Sequence, residues 1–185
     1  RALPEYFDES PDKRIVFSLQ GVPHDGKFIF DRLGHNLKPI DLQAAFGLVQ
    51  LERLPEFSKI RRANFKTLYQ FFKQYPDHFL LPRELPGVKT NWLAYPVTIK
   101  KGSSLKRVDL MRYLEEHKIQ TRVLFSGNIT RHPAYQDSRY RVHGSLKNAD
   151  HILEHSLLIG CHHGLRPEHL DYMIEVIESF LLSPR

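Results

Sequence analysis

The longest periodic stretch limits this chain most. Leu42, Ala45, Phe46, Val49 and Leu54, followed by Phe57, Ile60, Phe65, Leu68, Tyr69 and Phe72, recur at the three-and-four spacing of a helix face. Pro39 suits a first helical position, and Asp41 adds negative charge to the first turn. The run ends before Pro76. Pro55 lies inside it; a proline has no N–H to donate and clashes with the preceding turn. The pattern therefore predicts one long kinked helix or two helices in series.

Shorter elements flank this run. Ile15, Phe17 and Leu19 alternate as in a strand that ends at Gln20-Gly21, and Phe28-Ile29-Phe30 reads as another. Leu80 to Val88 reads as a proline-rich connection. Trp92, Ala94, Val97 and Ile99 mark a strand, Leu105 to His117 a helix, and Ile119 to Phe125 a second strand. Ser126 to Gly144 has no period. Leu146 to Glu154 is helical, Leu157-Leu158-Ile159 is a buried strand ended by Gly160, and Pro167 opens a last helix carrying Leu170, Met173, Ile174, Ile177 and Leu181. The predicted class is α+β, rich in helix.

Composition narrows the function classes. The chain has 185 residues, 41% of them hydrophobic, enough for one sizeable core. The net charge of +6 favours an anionic partner. The basic residues are scattered, though, and form no stripe of the kind nucleic acid requires. A single cysteine, Cys161, excludes an internal disulfide and fits a reducing cytoplasm. No apolar run is long enough to span a bilayer. The chain begins with Arg1 rather than Met and is expected to be part of a longer protein.

Three constellations could carry chemistry. Gly34-His35-Asn36-Leu37-Lys38-Pro39 leads into the long helix, where free backbone N–H groups can bind an anion; a simple turn closed by Asn36 explains the same residues. Thr121-Arg122 through Phe125-Ser126-Gly127-Asn128 to Thr130-Arg131-His132 gathers two arginines, a histidine, an amide and hydroxyls around a glycine, and arginine suits phosphate. A solvated loop is the alternative. Cys161-His162-His163, with His151, His155 and His169, has no second cysteine and no HExxH pattern, so no metal is expected there.

In order and spacing these segments resemble the DegT/DnrJ/EryC1/StrS class of pyridoxal-phosphate enzymes that modify nucleotide sugars. They are most similar to the 3-dehydrases of the CDP-4-keto-6-deoxyglucose type, which serve lipopolysaccharide O-antigen biosynthesis. The matching stretches are Gly34 to Lys38 with Asp41 to Ala45, Thr121 to Pro133, and Ile159-Gly160 through Gly164-Leu165 to Tyr172. The resemblance implies the C-terminal portion of a fold-type-I aminotransferase-like protein. Residues 1–38 would be the tail of the large cofactor domain, 39–78 a long kinked linking helix, and 79–185 a small α+β domain. It implies a cytoplasmic homodimer, with Asn36 and Lys38 reaching the cofactor phosphate of the neighbouring subunit. Arg122, Phe125, Ser126, Asn128, Arg131 and His132 would line the nucleotide-sugar pocket, and Trp92 and Tyr95 would face it. The long helix would cover apolar residues against segments of the parent protein, so the chain itself is expected to expose an apolar patch.

The family's cofactor lysine, and the histidine that replaces it in the dehydrases, lie upstream of this chain, so no catalytic residue is assigned within it. Residues 1–12 hold no cysteine, so the iron–sulfur cluster of the best-known relatives is not expected. His35 stands where the relatives have tyrosine, and His162-His163 where they have Tyr-Pro, which implies a shifted substrate preference. The implied reaction is loss of the C3 hydroxyl from a nucleotide-linked 4-keto sugar, with the pyridoxamine form of the cofactor as electron sink. A nucleotide-sugar aminotransferase and a stand-alone binding module are the competing readings.

Overall fold

The computed structural model describes residues 17–19, 21–24, 35, 37 and 39–183. The expected strand at Phe28–Phe30 and the motif residues Asn36 and Lys38 lie outside the described residues. The chain divides into two compact units, residues 1–50 and 51–185, with the division falling inside the long helix.

In the first unit, β1 (Phe17–Leu19) pairs antiparallel with β2 (Val22–His24) in the register Leu19↔Val22. Gly21, between the strands, sits at φ +87°, a conformation that side chains disfavour. The unit ends in the first turns of α1 (Asp41–Phe72), a single helix of 32 residues. Leu42, Phe46, Leu48 and Val49 are all exposed.

Pro55 does not divide α1 into two helices. Its missing N–H withdraws one bond from the carbonyl of Leu51, and Leu51 is exposed, so water can take that place. From Leu51 on, the helix belongs to the second unit. There Leu68, Phe71 and Phe72 turn inward and are buried.

The second unit is built on an antiparallel sheet of order β3-β4-β6-β5, formed by Phe79–Leu80, Ala94–Ile99, Ser156–Gly160 and Thr121–Val123. The two-residue β3 lies in what the sequence presents as a proline-rich connection. Burial alternates along β4, so Tyr95, Val97 and Ile99 face the core while Pro96 and Thr98 face the other way. Pro96 is tolerated in an inner strand because β3 pairs only as far as Thr98 and leaves that side of β4 open.

The dry face of the sheet, with Leu157 and Ile159 of β6, packs on α1, on α2 (Arg107–Glu116; Leu110, Leu114) and on α4 (Pro167–Leu182; Met173, Val176, Ile177). Helix α3 (Lys147–His155) lies against β4 and β6 and borders a cavity with Pro96 and Thr98, which places it on the opposite face. There the Thr98 and Ser156 hydroxyls bond at 3.0 Å. Helix α4 opens at Pro167, and the Arg166 N–H donates to His169 Nδ1 at 3.0 Å, which satisfies a donor free at the helix start.

Leu157 is fully buried at the centre of the sheet, whereas Leu42 is 76% exposed. Leu157→Ala is expected to lower stability by about 2–5 kcal/mol. Leu42→Ala should change it by less than about 0.5 kcal/mol. Urea unfolding of both variants checks the contrast.

Candidate functional site

Strand β5 carries Arg122 at the sheet edge. Its start is fixed by Glu115 of α2, whose carboxylate accepts both the backbone N–H and the hydroxyl of Thr121. These two bonds hold the Glu115 carboxyl below the usual carboxylate range. The chain leaves α2 through Lys118 at φ +62°, where Ile119 N–H donates to Leu114 O at 2.9 Å. Arg122 pairs with Leu158 of β6 and is exposed.

Arg122 borders a cleft of about 540 Å³, together with Lys118, Gln120, His162, His169 and Tyr172. Leu93, Ile159, Leu165 and Met173 supply apolar lining. The volume suits a small-molecule site, and so does the character: an apolar lining with two cations, Lys118 and Arg122. The Tyr172 hydroxyl donates to His117 O at 3.1 Å, and this bond ties α4 to the end of α2.

His162 Nδ1 accepts the Gly164 N–H at 3.1 Å, so the neutral ring carries its proton on Nε2. Burial, with His163 and Arg61 nearby, pushes its pKa down and favours that neutral form. A side chain at Gly164 would come within 3.1 Å of His162 Nδ1, so glycine gives the ring its place. The whole 161–165 loop is anchored on α1. Buried Asn64 donates to His162 O at 2.9 Å, and His163 stacks on Phe57 at 3.8 Å. Cys161 is fully buried, and burial pushes its thiol up to about 12. Among the described residues no group of three or more histidine, cysteine or acidic side chains forms a metal site.

Beyond β5 the chain turns sharply at Phe125 (φ +51°) and Gly127 (φ +56°). Phe125 stands 83% exposed, and Ser126 is exposed beside it. Asn128, by contrast, is 3% exposed. Its amide donates to Asp150 Oδ1 at 2.6 Å, and its oxygen accepts the Thr130 N–H and hydroxyl. Arg131 holds the same carboxylate with two bonds, at 3.1 and 2.9 Å. His132 Nε2 donates to Ser126 O at 2.9 Å. Arg131 and Asn128 together lower the pKa of Asp150.

Of the residues singled out in the sequence, then, Arg122 stands in the cleft and Phe125 and Ser126 lie free on the loop. Asn128, Arg131 and His132 spend their polar groups holding that loop. Tyr95 does not face the cleft: it lies on the dry face of β4, its ring stacked 5.0 Å from Phe72. Trp92 precedes the strand and stacks on Phe65 at 4.1 Å. The sequence reading missed Asp150, 22 residues from Asn128, whose only outward sign was an acid in the first turn of a helix. It did not single out Lys118, and it did not place His169 and Tyr172, which lie in the last matching stretch, beside Arg122.

The sequence profile of the DegT/DnrJ/EryC1/StrS aminotransferase family matches residues 8–178. The chain is 41% identical over 175 residues to the lipopolysaccharide biosynthesis protein RfbH of Salmonella typhimurium, covering 94% of this chain and 40% of that protein. It is 36% identical to dTDP-4-dehydro-2,6-dideoxy-D-glucose 3-dehydratase of Saccharopolyspora spinosa, covering 94% and 38%. Among solved structures it resembles E. coli GDP-4-keto-6-deoxy-D-mannose-3-dehydratase with bound hydrated PLP. The TM-score is 0.72 and the identity 28%, over 80% of this chain and 38% of that one. The chain thus spans about 40% of the length of the curated relatives it matches.

Two outcomes test the loop. A methyl group at Gly127 would meet Leu153 Cα at 2.7 Å, on a backbone already at positive φ. Gly127→Ala is therefore expected to cost about 1–3 kcal/mol in thermal or urea unfolding. The Asp150 carboxyl is depressed, so its contribution is present above the ordinary aspartate pKa and fades as pH falls through the lower folded value. The protection of the Thr130 amide, its exchange relative to an unfolded chain at the same pH, should stay high into mild acid and fall below it. In Asp150→Asn that protection should be low at every pH.

Proposed function

The chain belongs to the DegT/DnrJ/EryC1/StrS aminotransferase family, and on that footing we propose that it is the C-terminal part of a pyridoxal-phosphate-dependent nucleotide-sugar 3-dehydrase. The observation that carries the reading is the cleft where Arg122 stands among Lys118, His162 and His169 over apolar lining. Such a set matches a ligand with a charged diphosphate and a weakly polar sugar face. Arg122 takes a diphosphate oxygen through its planar fork. Phe125 covers the ring of the ligand from the loop, and Ser126 offers it a hydroxyl. Asn128, Arg131 and His132 line that side of the pocket by keeping the loop in its turn.

Domain organisation follows the same reading. Residues 1–38 are the tail of a large cofactor domain, 39–78 the linking helix, and 79–185 the small domain. The protein acts as a cytoplasmic homodimer, in which Asn36 and Lys38 approach the cofactor phosphate of the neighbouring subunit. Among the described residues, no helix is long and apolar enough to cross a membrane. When bound, the cofactor supplies an electron sink for loss of the C3 oxygen. This chain binds and orients the sugar nucleotide. The dehydrase reading is preferred to the aminotransferase one because a relative at 36% identity carries the 3-dehydratase name.

The upstream gene sequence and a product assay separate the two. A histidine at the cofactor-lysine position, with a product that has lost its C3 oxygen by mass spectrometry, is the expected result. A lysine there and an amino-sugar product would replace the dehydrase with an aminotransferase. In the active protein, Arg122→Ala should raise KM for the nucleotide sugar roughly 10–100-fold, the loss of one charge-assisted contact.

A further inference from the structure

A second cavity, of about 400 Å³, shares no lining residue with the Arg122 cleft. Its wall is one face of α1: Arg62, Phe65, Lys66 and Tyr69 follow at the three-and-four spacing of a helix. Pro82, Arg83 and Glu84 close it from the connection, and Trp92 lies over Phe65 with the rings 4.1 Å apart and 9° from parallel. The Trp92 backbone is itself fixed, because its carbonyl faces the buried Cys161 thiol at 3.6 Å.

The charges are unbalanced. Arg62 and Lys66 stand four apart on one helix, an arrangement that costs stability unless an anion lies between them. Arg83 adds a third cation. Among the described residues, ion pairs engage Arg131 and Arg166, but none engages these three. The single acid of the cavity, Glu84, is directed to the backbone, where it accepts the Thr90 N–H at 2.7 Å. The cavity therefore joins a flat aromatic platform to a surplus of two positive charges, and its volume suits a nucleotide.

We propose that this cavity binds a nucleoside diphosphate, its base against the Trp92–Phe65 platform and its phosphates between Arg62, Lys66 and Arg83. The inference does not rest on the family reading: it uses none of the residues placed in the Arg122 cleft. A nucleotide bound here would brace α1 against the connection that leads into β4, and so act on the sheet from behind.

Trp92 is the chain's only tryptophan, so its fluorescence reports on this cavity. The test titrates ADP into the 185-residue chain, exciting beyond the tyrosine band and correcting for absorbance. Pyrophosphate and adenosine serve as charge-only and ring-only probes. The expected result is a saturable quench by ADP, with both partial ligands at least tenfold weaker. The exposed Arg83→Ala change should weaken ADP at least fivefold without altering the fold, as circular dichroism checks. Arg122→Ala should leave the Trp92 titration unchanged. No quench by millimolar ADP, or a quench indifferent to Arg83→Ala, overturns the proposal. A response abolished by Arg122→Ala alone would overturn it too, and would assign the nucleotide to the cleft instead.

Discussion

The position of Arg122 depends on a strand only three residues long. Among the described residues β5 pairs with β6 and with no other strand, so the backbone ladder alone would hold it weakly. Side-chain clamps at either end compensate. Below, Glu115 takes both donors of Thr121. Above, Asp150 gathers Asn128 and Arg131 and keeps the Phe125–Gly127 turn closed. Both carboxylates are acceptor-only when ionised; Glu115 is met by two donor groups and Asp150 by three, so the clamps strengthen as the acids lose their protons.

The sheet gives these clamps something rigid to act on. Its dry face is filled by Tyr95, Val97, Ile99, Leu157 and Ile159 against three helices, at the density that lets cores transmit position. Helix α1 does two tasks there. Leu68 and Phe72 complete the core, and one turn earlier Asn64 reaches the carbonyls of His162 and Leu165. A buried amide without those acceptors would cost stability, so the loop bearing His162 has little freedom to move. The neutral His162 ring, the αL turn at Lys118 and the Tyr172 bond then shape the cleft around Arg122.

Much of this was legible from residue order. Periodicity located α1, α2, α3 and α4, because their apolar positions repeat every three or four residues. The spaced apolar residues Trp92, Ala94, Val97 and Ile99 marked β4, and the short apolar run Leu157-Leu158-Ile159 before Gly160 marked β6. The glycine-centred run after Thr121 pointed to the loop. What stayed hidden has physical reasons. β3 is too short to show a period. Pro55 looked like a possible break, yet an exposed helix tolerates one lost bond where water replaces it. Tyr95 seemed to face a ligand, but the side of a strand changes with each residue, and only packing on Phe72 fixes which side is dry. Asp150 could not be linked to Asn128 because the partners of a clamp need not be near in sequence.

The central claim is that Arg122 receives the diphosphate of a sugar nucleotide in the 540 Å³ cleft. Nuclear magnetic resonance of the arginine Nε–H groups tests it most directly, with a nucleoside-diphosphate sugar titrated into the labelled chain. The account predicts that the Arg122 Nε–H shifts saturably, together with the backbone amides of Gly160 and His162. An Arg122 signal that stays still at saturating ligand would contradict it.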